Sequence, residues 1–427
     1  MDISLQVLFF LALLILLAKA AGGLAARIGL PAVMGELLAG VLLGPTLINV
    51  WRFSWFSATA TTGGHLHISL AAFIDVLAEL GVVVLMFLAG LETDIEGMKR
   101  AFGPAFWGAC GGVILPFVGS AVISHALGFK WTEAVFIGTI LTATSVSITA
   151  QTLMNLNQLR SSAGTTILAA AVIDDVLGLL VLSLVIAEES HFAGAQAGGG
   201  LLSFGGTIVR MVLFFAFAFW LGPRLIRFAF RQARHFHGAH IPLAAALSIG
   251  FLFAFLAQYG GGMAAITGAY LAGLFIAASP THGEVIADLR SMTNSFFGPL
   301  FFASIGLEIN ARSLGGHFGF FSLILIIAIL GKVFGCGLGA WLKGMSAQDG
   351  LIVGVGMIPR GEVGLITANI GWAAGLVSSE IYSLVVVLVL ATTLVTPPLL
   401  SFCFSRKPAD LDISGASVGL EGVSHDP

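Results

Sequence analysis

Long apolar segments alternate with short polar stretches along the whole chain. A helix needs about 20 apolar residues to cross the hydrocarbon core of a bilayer, and stretches of roughly this length recur throughout. They lie at 4–26, 31–49, 69–91, 103–126, 132–155, 161–187, 204–230, 241–258, 262–280, 288–310, 317–342, 348–372 and 378–404. The pattern predicts an all-α integral membrane protein with about thirteen transmembrane helices and a short polar tail at 405–427.

The charged residues between these segments predict how the helices are oriented. With the N-terminus outside, the inner loops hold thirteen Lys and Arg residues and the outer loops hold three, namely Arg52, Lys130 and Arg312. Because inner loops of membrane proteins are enriched in Lys and Arg, this difference predicts an outer N-terminus, an inner C-terminus and an odd number of spans.

Composition supports a membrane protein and argues against other classes. Hydrophobic residues make up 57% of the 427 residues and charged residues 10%, whereas soluble domains carry about 25% charged residues. The three cysteines, Cys110, Cys336 and Cys403, show no paired spacing and are interpreted as packing residues. The sequence contains no recognisable nucleophile–base set, metal-ligand cluster or phosphate-binding loop, so neither an enzyme, a cofactor nor a nucleic-acid partner is expected.

Two adjacent aspartates, Asp174 and Asp175, lie in the middle of the apolar segment 161–187. A carboxylate at the bilayer centre costs roughly 2.5–3.5 kcal/mol on insertion scales, and two neighbouring carboxylates also repel each other. The basic residues Lys332 and Arg360 fall inside other predicted spans, at a similar depth. This constellation predicts a site for protons or small cations.

An internal repeat relates the two halves of the chain. The motif FLAGLETD at 87–94 resembles ASIGLEIN at 303–310, and GELLAGVLLGPT at 35–46 resembles GAYLAGLFIAASPT at 268–281. The matched motifs are seven predicted spans apart. Because seven is odd, the second half is predicted to cross the membrane upside down relative to the first, as in many secondary transporters.

The offset that takes position 87 to position 303 also relates two segments that favour helix interruption. Residues 142–150 form a hydroxyl-rich patch, and residues 354–364 combine glycines with Pro359; proline removes a backbone donor and breaks helical hydrogen bonding. Paired broken helices indicate a binding site near the membrane midplane. Their freed backbone groups need partners, so the two segments are predicted to cross there.

The candidate site residues come from these spans. Asp175, Asp174 and the hydroxyls of Thr144 and Ser145 are predicted to bind the cation or proton, with an alkali cation held at Asp175. The charge-compensating residues are predicted to be Lys332, Arg360 and Glu362. For Arg360 and Glu362, a structural role at the broken-helix ends is an equal alternative.

Carboxylates that hold either a proton or an alkali cation couple two ion fluxes if the site faces one side at a time. This reasoning favours an antiporter that exchanges Na⁺ or Li⁺ for H⁺. Exchange of K⁺ for H⁺ is the close alternative, because the same carboxylates support it. A cation-coupled organic solute symporter fits less well, since carboxylates and a lysine occupy the centre, and a channel fits poorly with inverted broken helices.

Four motifs resemble those of the bacterial monovalent cation/proton antiporters of the Asp-Asp branch, which are related to sodium/hydrogen exchangers. They are TATSVSITA at 142–150, VIDDVLG at 172–178, GKVFG at 331–335 and PRGEVG at 359–364. The resemblance covers roughly residues 5–404. It implies that Asp175 is the main cation and proton carboxylate and that Asp174 forms a breakable salt bridge with Lys332.

The resemblance also implies an architecture and a cellular setting. It suggests one transmembrane unit at 1–404 in a bacterial inner membrane, assembled as a homodimer. A mobile core would comprise about 69–187 and 288–404, and a dimerisation domain about 4–49 and 204–280. Movement would be elevator-like, and exchange would be electrogenic.

Overall fold

The computed structural model describes residues 3–56, 59–62, 66–192, 199–233, 240–278, 282–308, 318–373 and 375–406. The α-helices are α1 Ile3–Arg27, α2 Ala32–Leu43, α3 Leu70–Glu92, α4 Ile95–Ala126, α5 Trp131–Thr142, α6 Val146–Asn155, α7 Ser162–Phe192, α8 Gly199–Ala216, α9 Gly222–Ala233, α10 Ile241–Phe255, α11 Ala265–Ala277, α12 His282–Met292, α13 Gly298–Glu308, α14 Phe318–Leu342, α15 Ala347–Gly356, α16 Gly361–Ala373 and α17 Ser379–Ser405. Short π-helical segments, Phe217–Leu221, Leu256–Gly260 and Thr293–Phe297, follow α8, α10 and α12. The predicted tail lies outside the described residues beyond Arg406.

Every apolar segment predicted from the sequence contains a helix or an interrupted helix. Within the described ranges, nine helices are long and apolar enough to cross a membrane, and three further apolar helices are shorter. The protein is therefore a helical, multi-pass membrane protein. The total of thirteen spans stays a prediction, because the short helices span a bilayer only if neighbouring elements complete them.

Two local features differ from the sequence-based expectation. Helix α4 begins at Ile95, well before the predicted segment at 103, because Asp94 caps its first turn by accepting hydrogen bonds from the backbone N–H groups of Glu96 and Gly97. A two-stranded antiparallel hairpin, β1 Thr59–Thr62 and β2 Leu66–Ser69, precedes α3. Thr and Ile favour strands, and this short hairpin leaves the predicted all-α transmembrane fold unchanged.

Helix boundaries repeat with the offset found in the sequence. Helix α3 ends at Glu92 and α13 at Glu308, which are equivalent positions of the repeated motif. The same interval separates the ends of α4 and α14, at Ala126 and Leu342, and the starts of α5 and α15. This agreement supports the internal repeat, since unrelated segments would not begin and end in register.

Glycines from the repeated motifs bring the helices of the two halves into close contact. A Cβ atom at Gly40 of α2 would overlap the carbonyl oxygen of Ala303 in α13. The equivalent crossing lies between α3 and α11, where a Cβ at Gly90 would overlap the carbonyl oxygen of Tyr270. The motif at 35–46 therefore packs against the motif at 303–310, and the motif at 87–94 packs against the motif at 268–281.

We expect Gly90→Ala to destabilise the protein, because the added methyl group has to push α3 away from α11. Overpacking of this kind typically costs about 1–3 kcal/mol. Gly103→Ala in α4 is the matched control, since no heavy atom lies within 4 Å of its Cβ position. Thermal unfolding in detergent should show a lower midpoint for Gly90→Ala only; equal midpoints for the two variants would contradict the close crossing.

The helices pack in two groups. Helix α14 lies along α4, which also packs against α5 and α7, and α15 packs against α14. In the second group, α11 lies along α3, and α2 packs against α1 and α13. The interrupted helices α5–α6 and α15–α16 belong to the first group, which therefore contains the predicted site.

Candidate functional site

The two interrupted helices meet at their breaks. The backbone N–H of Ser145, in the break between α5 and α6, donates a hydrogen bond of 2.8 Å to the carbonyl oxygen of Pro359, in the break between α15 and α16. One turn further on, the Thr149 hydroxyl donates to the carbonyl oxygen of Gly356 at 2.6 Å. These bonds satisfy backbone groups that the breaks release, so the crossing is built largely from the chain's own polar atoms.

Arg360 is buried at the crossing and connects three helices. Its guanidinium donates to the carbonyl oxygen of Ala143 at 2.6 Å and to that of Ala328 in α14 at 3.1 Å. The first of these carbonyls lies just beyond the C-terminus of α5, where helix ends carry partial negative charge. Arg360 therefore stabilises a broken-helix end, which is one of the two roles expected from the sequence.

Lys332 and Asp174 form a buried ion pair. The Lys332 Nζ lies 2.9 Å from Asp174 Oδ1, and the two side chains are 0% and 1% exposed. Gly112 of α4 lies beside this pair and makes room for Cys336 of α14, because a Cβ there would overlap Cys336 Sγ, whereas Lys332 Nζ would lie 3.5 Å away. The second oxygen of Asp174, Oδ2, is buried and has no hydrogen-bond partner among the described residues.

Asp175 lies in a different environment from its neighbour. Its side chain is half-buried, and Asp175 Oδ2 accepts a hydrogen bond of 2.6 Å from the Thr267 hydroxyl of α11. This bond connects the two groups of helices directly at the carboxylate. The two adjacent aspartates of α7 therefore have different partners. Asp174 forms an ion pair with a lysine of its own group of helices, and Asp175 accepts a hydrogen bond from the other group.

Both aspartates line a cavity of about 270 Å³. Its wall also includes Thr144 from the first break, Gly178 and Leu182 from α7, and Thr367 from α16. Across the cavity lie four residues between the end of α10 and the start of α11, namely Gln258, Gly262, Met263 and Ala264. The cavity therefore lies between the two groups of helices, with the carboxylates at one end.

The predicted cation ligands divide into two sets. Thr144 lines the cavity with both aspartates, and its hydroxyl oxygen is buried without a hydrogen-bond partner in the described part of the chain. Ser145 is not among the residues that line this cavity. Its hydroxyl lies 2.9 Å from the Ser147 hydroxyl and occupies the space beside Gly361. The Glu362 side chain lies outside the part of the structure that is described.

Two residues at the site were not identified from the sequence. Thr267 is one of many hydroxyl residues in apolar spans, and only the approach of α11 to α7 makes it a partner of Asp175. Gly112 lies in a glycine-rich helix, and only the close approach of Cys336, next to Lys332 on α14, distinguishes it. Gly335, close to Lys332 on α14, allows α14 to pack closely against α4, because its Cβ would overlap the carbonyl oxygen of Gly111.

We expect Thr267→Val to raise the apparent KM for the transported cation by about tenfold or more, because a hydrogen bond to a charged group is worth about 1.5–3 kcal/mol and orients the Asp175 carboxylate. Thr267→Ser is the matched control, since it keeps the donor. Initial rates of cation-dependent proton release from vesicles, measured over a range of cation concentrations, test this. A KM that changes equally in both variants would assign Thr267 a packing role.

Interrupted helices that cross in mid-membrane, with ionisable side chains at the break, are a feature of secondary transporters. The fold and the site place the protein in that class. The family model for the transmembrane region of sodium/hydrogen exchangers matches residues 11–406. The chain therefore belongs to the sodium/hydrogen exchanger family, which confirms the resemblance found in the motifs.

Individual relatives agree with this membership. The chain is 35% identical over 399 residues to the Na⁺/H⁺-K⁺ antiporter GerN of Bacillus cereus, a match that covers 93% of this chain and 96% of the relative. It is 33% identical to the Na⁺/H⁺ antiporter of Enterococcus hirae, with 92% and 97% covered. The structure of the sodium proton antiporter MjNhaP1 from Methanocaldococcus jannaschii at pH 8 shares the fold, with a TM-score of 0.66, 16% identity and coverage of 94% and 97%.

Proposed function

We propose that this protein is an antiporter that exchanges Na⁺ or Li⁺ for H⁺ across the membrane. One observation carries the proposal: Asp175 is half-buried on the wall of a cavity, and the adjacent Asp174 is fully buried in an ion pair with Lys332. A carboxylate that reaches the cavity can take up an ion from solution. The transported ions are substrates, and the mechanism requires no cofactor.

The oxygen atoms around the cavity suit an alkali cation, because hard cations prefer oxygen ligands. Asp175 supplies a carboxylate, while Thr144 Oγ1 and Asp174 Oδ2 are buried oxygens without hydrogen-bond partners among the described residues. A proton on Asp175 removes the negative charge that the cation needs. The two ions therefore compete for one site, and this competition couples their movement.

Lys332 links the second aspartate to this competition. Asp174 pairs with Lys332 through Oδ1, its Oδ2 has no hydrogen-bond partner among the described residues, and the residue lines the cavity. When Asp174 turns toward a bound cation, its bond to Lys332 weakens, and the charges of the three groups are therefore coupled. We propose that this rearrangement makes exchange electrogenic, since more than one proton is displaced by one cation.

Helix packing suggests which parts move. We propose an elevator-like movement of α4–α7 with α14–α17, relative to α1–α3 with α8–α13. This division places α3 and α12–α13 in the stationary unit, because α3 lies along α11 and α13 packs against α2. The sequence suggested a different division, with the mobile core beginning at 69 and 288 in the two halves, and that division also stays a prediction.

The setting of the protein follows from the loop charges and the resemblance. We propose a bacterial inner membrane location, an outer N-terminus, an inner C-terminus and a homodimer. With this orientation, α7 and α16 run from inside to outside, and the cavity extends along the halves of these helices that follow Asp175 and the second break. The described conformation is then open to the outside.

Exchange of K⁺ for H⁺ is the second candidate, and one relative favours it. GerN, which is 35% identical to this chain, is named for both Na⁺ and K⁺. The same carboxylates bind either ion, and cation selectivity depends on the exact size of the occupied site.

Purified protein in proteoliposomes loaded with a pH-sensitive dye tests both candidates. Na⁺, Li⁺ and K⁺ are added in turn to vesicles that hold a preset proton gradient, and a voltage-sensitive dye reports charge movement. The proposal expects Na⁺ and Li⁺ to collapse the gradient with a change in voltage. Collapse by K⁺ alone would favour the second candidate, and no response to any of the three ions would contradict both.

A further inference from the structure

The hydrogen bond between Thr267 and Asp175 joins the two units that are proposed to move relative to each other. Asp175 lies in α7 of the mobile unit, whereas Thr267 lies in α11 of the stationary unit. Thr267 is 2% exposed, and its hydroxyl donates to Asp175 Oδ2 at 2.6 Å. Because this bond has to break whenever α7 moves along α11, its strength influences when the movement takes place.

The stationary unit also presents the start of a helix to this carboxylate. Thr267 lies in the first turn of α11, which begins at Ala265 and has no side-chain cap at that end. The first turn of a helix carries free backbone N–H groups and partial positive charge. Met263 and Ala264, directly before the helix, line the cavity together with Asp175. A hydroxyl donor and a positive helix end therefore lie on the same side of Asp175.

Both of these groups interact more strongly with a charged carboxylate than with a neutralised one. A hydrogen bond to an ionised acceptor is about twice as strong as a bond between neutral groups, and a helix start attracts anions. A proton or an alkali cation on Asp175 removes the net negative charge and competes for the same oxygen atoms. The stationary unit therefore holds the unloaded site more strongly than the loaded site, and such a difference shifts a conformational equilibrium.

Other polar groups of the two units do not distinguish a loaded site from an unloaded one in this way. Lys332 and Arg360 belong to the mobile unit, so they move together with Asp175. Arg160, in the connection between α6 and α7, joins the units by donating to the backbone carbonyl oxygen of Glu92 at 2.9 Å. This contact contains no carboxylate of the site. Ion binding therefore weakens the bond from Thr267 directly and leaves the bond from Arg160 unchanged.

We infer that Thr267 couples movement to ion binding: it retains the mobile unit while Asp175 is charged and unloaded, and it releases the unit once Asp175 has bound a cation or a proton. This inference rests on the proposed exchange and on the proposed movement of the two units. An exchanger needs such retention, because a mobile unit that returned empty would carry cations without protons. Loss of the Thr267 hydroxyl should therefore convert part of the exchange into uncoupled cation uptake.

The ratio of protons released to Na⁺ taken up tests this inference. Uptake of radioactive Na⁺ and proton release are measured in the same proteoliposomes, at saturating Na⁺, with equal pH on both sides and with the voltage clamped by a permeant anion. As pH rises, fewer protons reload Asp175, so Na⁺ uptake by the unmodified protein should fall. At alkaline pH, Thr267→Val should take up Na⁺ about tenfold faster than the unmodified protein, with fewer protons released for each Na⁺. Thr267→Ser keeps the donor and should match the unmodified protein.

Uncoupled uptake by Thr267→Val has to pass through Asp175, so the double variant Thr267→Val with Asp175→Asn should take up no Na⁺. Uptake by the double variant would assign the effect to a leak in a loosened protein and overturn the inference. An unchanged ratio of protons to Na⁺ in Thr267→Val would also overturn it and would limit Thr267 to orienting the carboxylate, even if the apparent KM rises. Absence of exchange in the unmodified protein would overturn the proposed function as well, so the two failures are distinguishable.

Discussion

Asp175→Asn is expected to abolish cation–proton exchange while the protein still folds. The amide has nearly the shape of the carboxylate and can still accept the hydrogen bond that Thr267 donates at 2.6 Å. It carries no charge and does not release a proton in the relevant pH range, so neither half of the exchange remains possible. Proteoliposomes with equal amounts of reconstituted protein should show no cation-dependent proton movement above the rate of empty vesicles.

The matched control removes the same charge from the surface. Glu96 forms an i,i+4 pair with Arg100 at 3.7 Å, and its side chain is 80% exposed, so its pairing contributes little. Glu96→Gln should exchange ions at the normal rate. Exchange by Asp175→Asn at normal apparent affinity would remove Asp175 from the central role and direct attention to Asp174.

Much of the fold was predictable because the bilayer restricts the possible structures. Each apolar segment became a helix, and the two interruptions fell at 143–145 and 357–360, where hydroxyl residues and Pro359 had been identified. The start of α4 was missed because its first turns carry Glu96, Lys99 and Arg100, which lower the local hydropathy. Capping by Asp94 determines that boundary instead.

The site was predictable in part, because charges in an apolar chain are conspicuous. Similar membrane depth suggested the association of Lys332 with the aspartates, and the resemblance assigned it to Asp174; the two groups lie 2.9 Å apart. Depth does not report which way a side chain points around its helix. Ser145 was therefore predicted to bind the cation together with Thr144, although of the two only Thr144 lines the cavity.

Contacts between distant segments were the hardest to predict. Thr267 is far from Asp175 along the chain, and its hydroxyl acquires a role only through the packing of α11 beside the cavity. The repeat partly compensates for this limit, because equivalent positions in the two halves can be compared directly. It related Gly40 to Gly273 and Gly90 to Gly306, and all four glycines lie at close helix crossings in the structure.

Lys332→Met is expected to destabilise the protein strongly. It leaves the Asp174 carboxylate buried without its cation, and removing one partner of a buried ion pair typically costs about 3–5 kcal/mol. Replacing both partners, in Lys332→Met with Asp174→Asn, removes the uncompensated charge and should restore much of the thermal midpoint. Thermal unfolding in detergent of the four members of this double-mutant cycle measures the coupling between the two residues.

The same cycle separates stability from transport. Lys343→Met is the control, because it removes a lysine that directly follows α14. Lys343 lies over the exposed ring of Trp107 and should contribute little to stability. If the Lys332–Asp174 bond takes part in exchange, the double variant should regain stability but show an altered pH profile or a smaller voltage change for each cation moved. A stable double variant with unchanged exchange would give the pair a structural role, and additive effects of the two single changes on the thermal midpoint would contradict the ion pair itself.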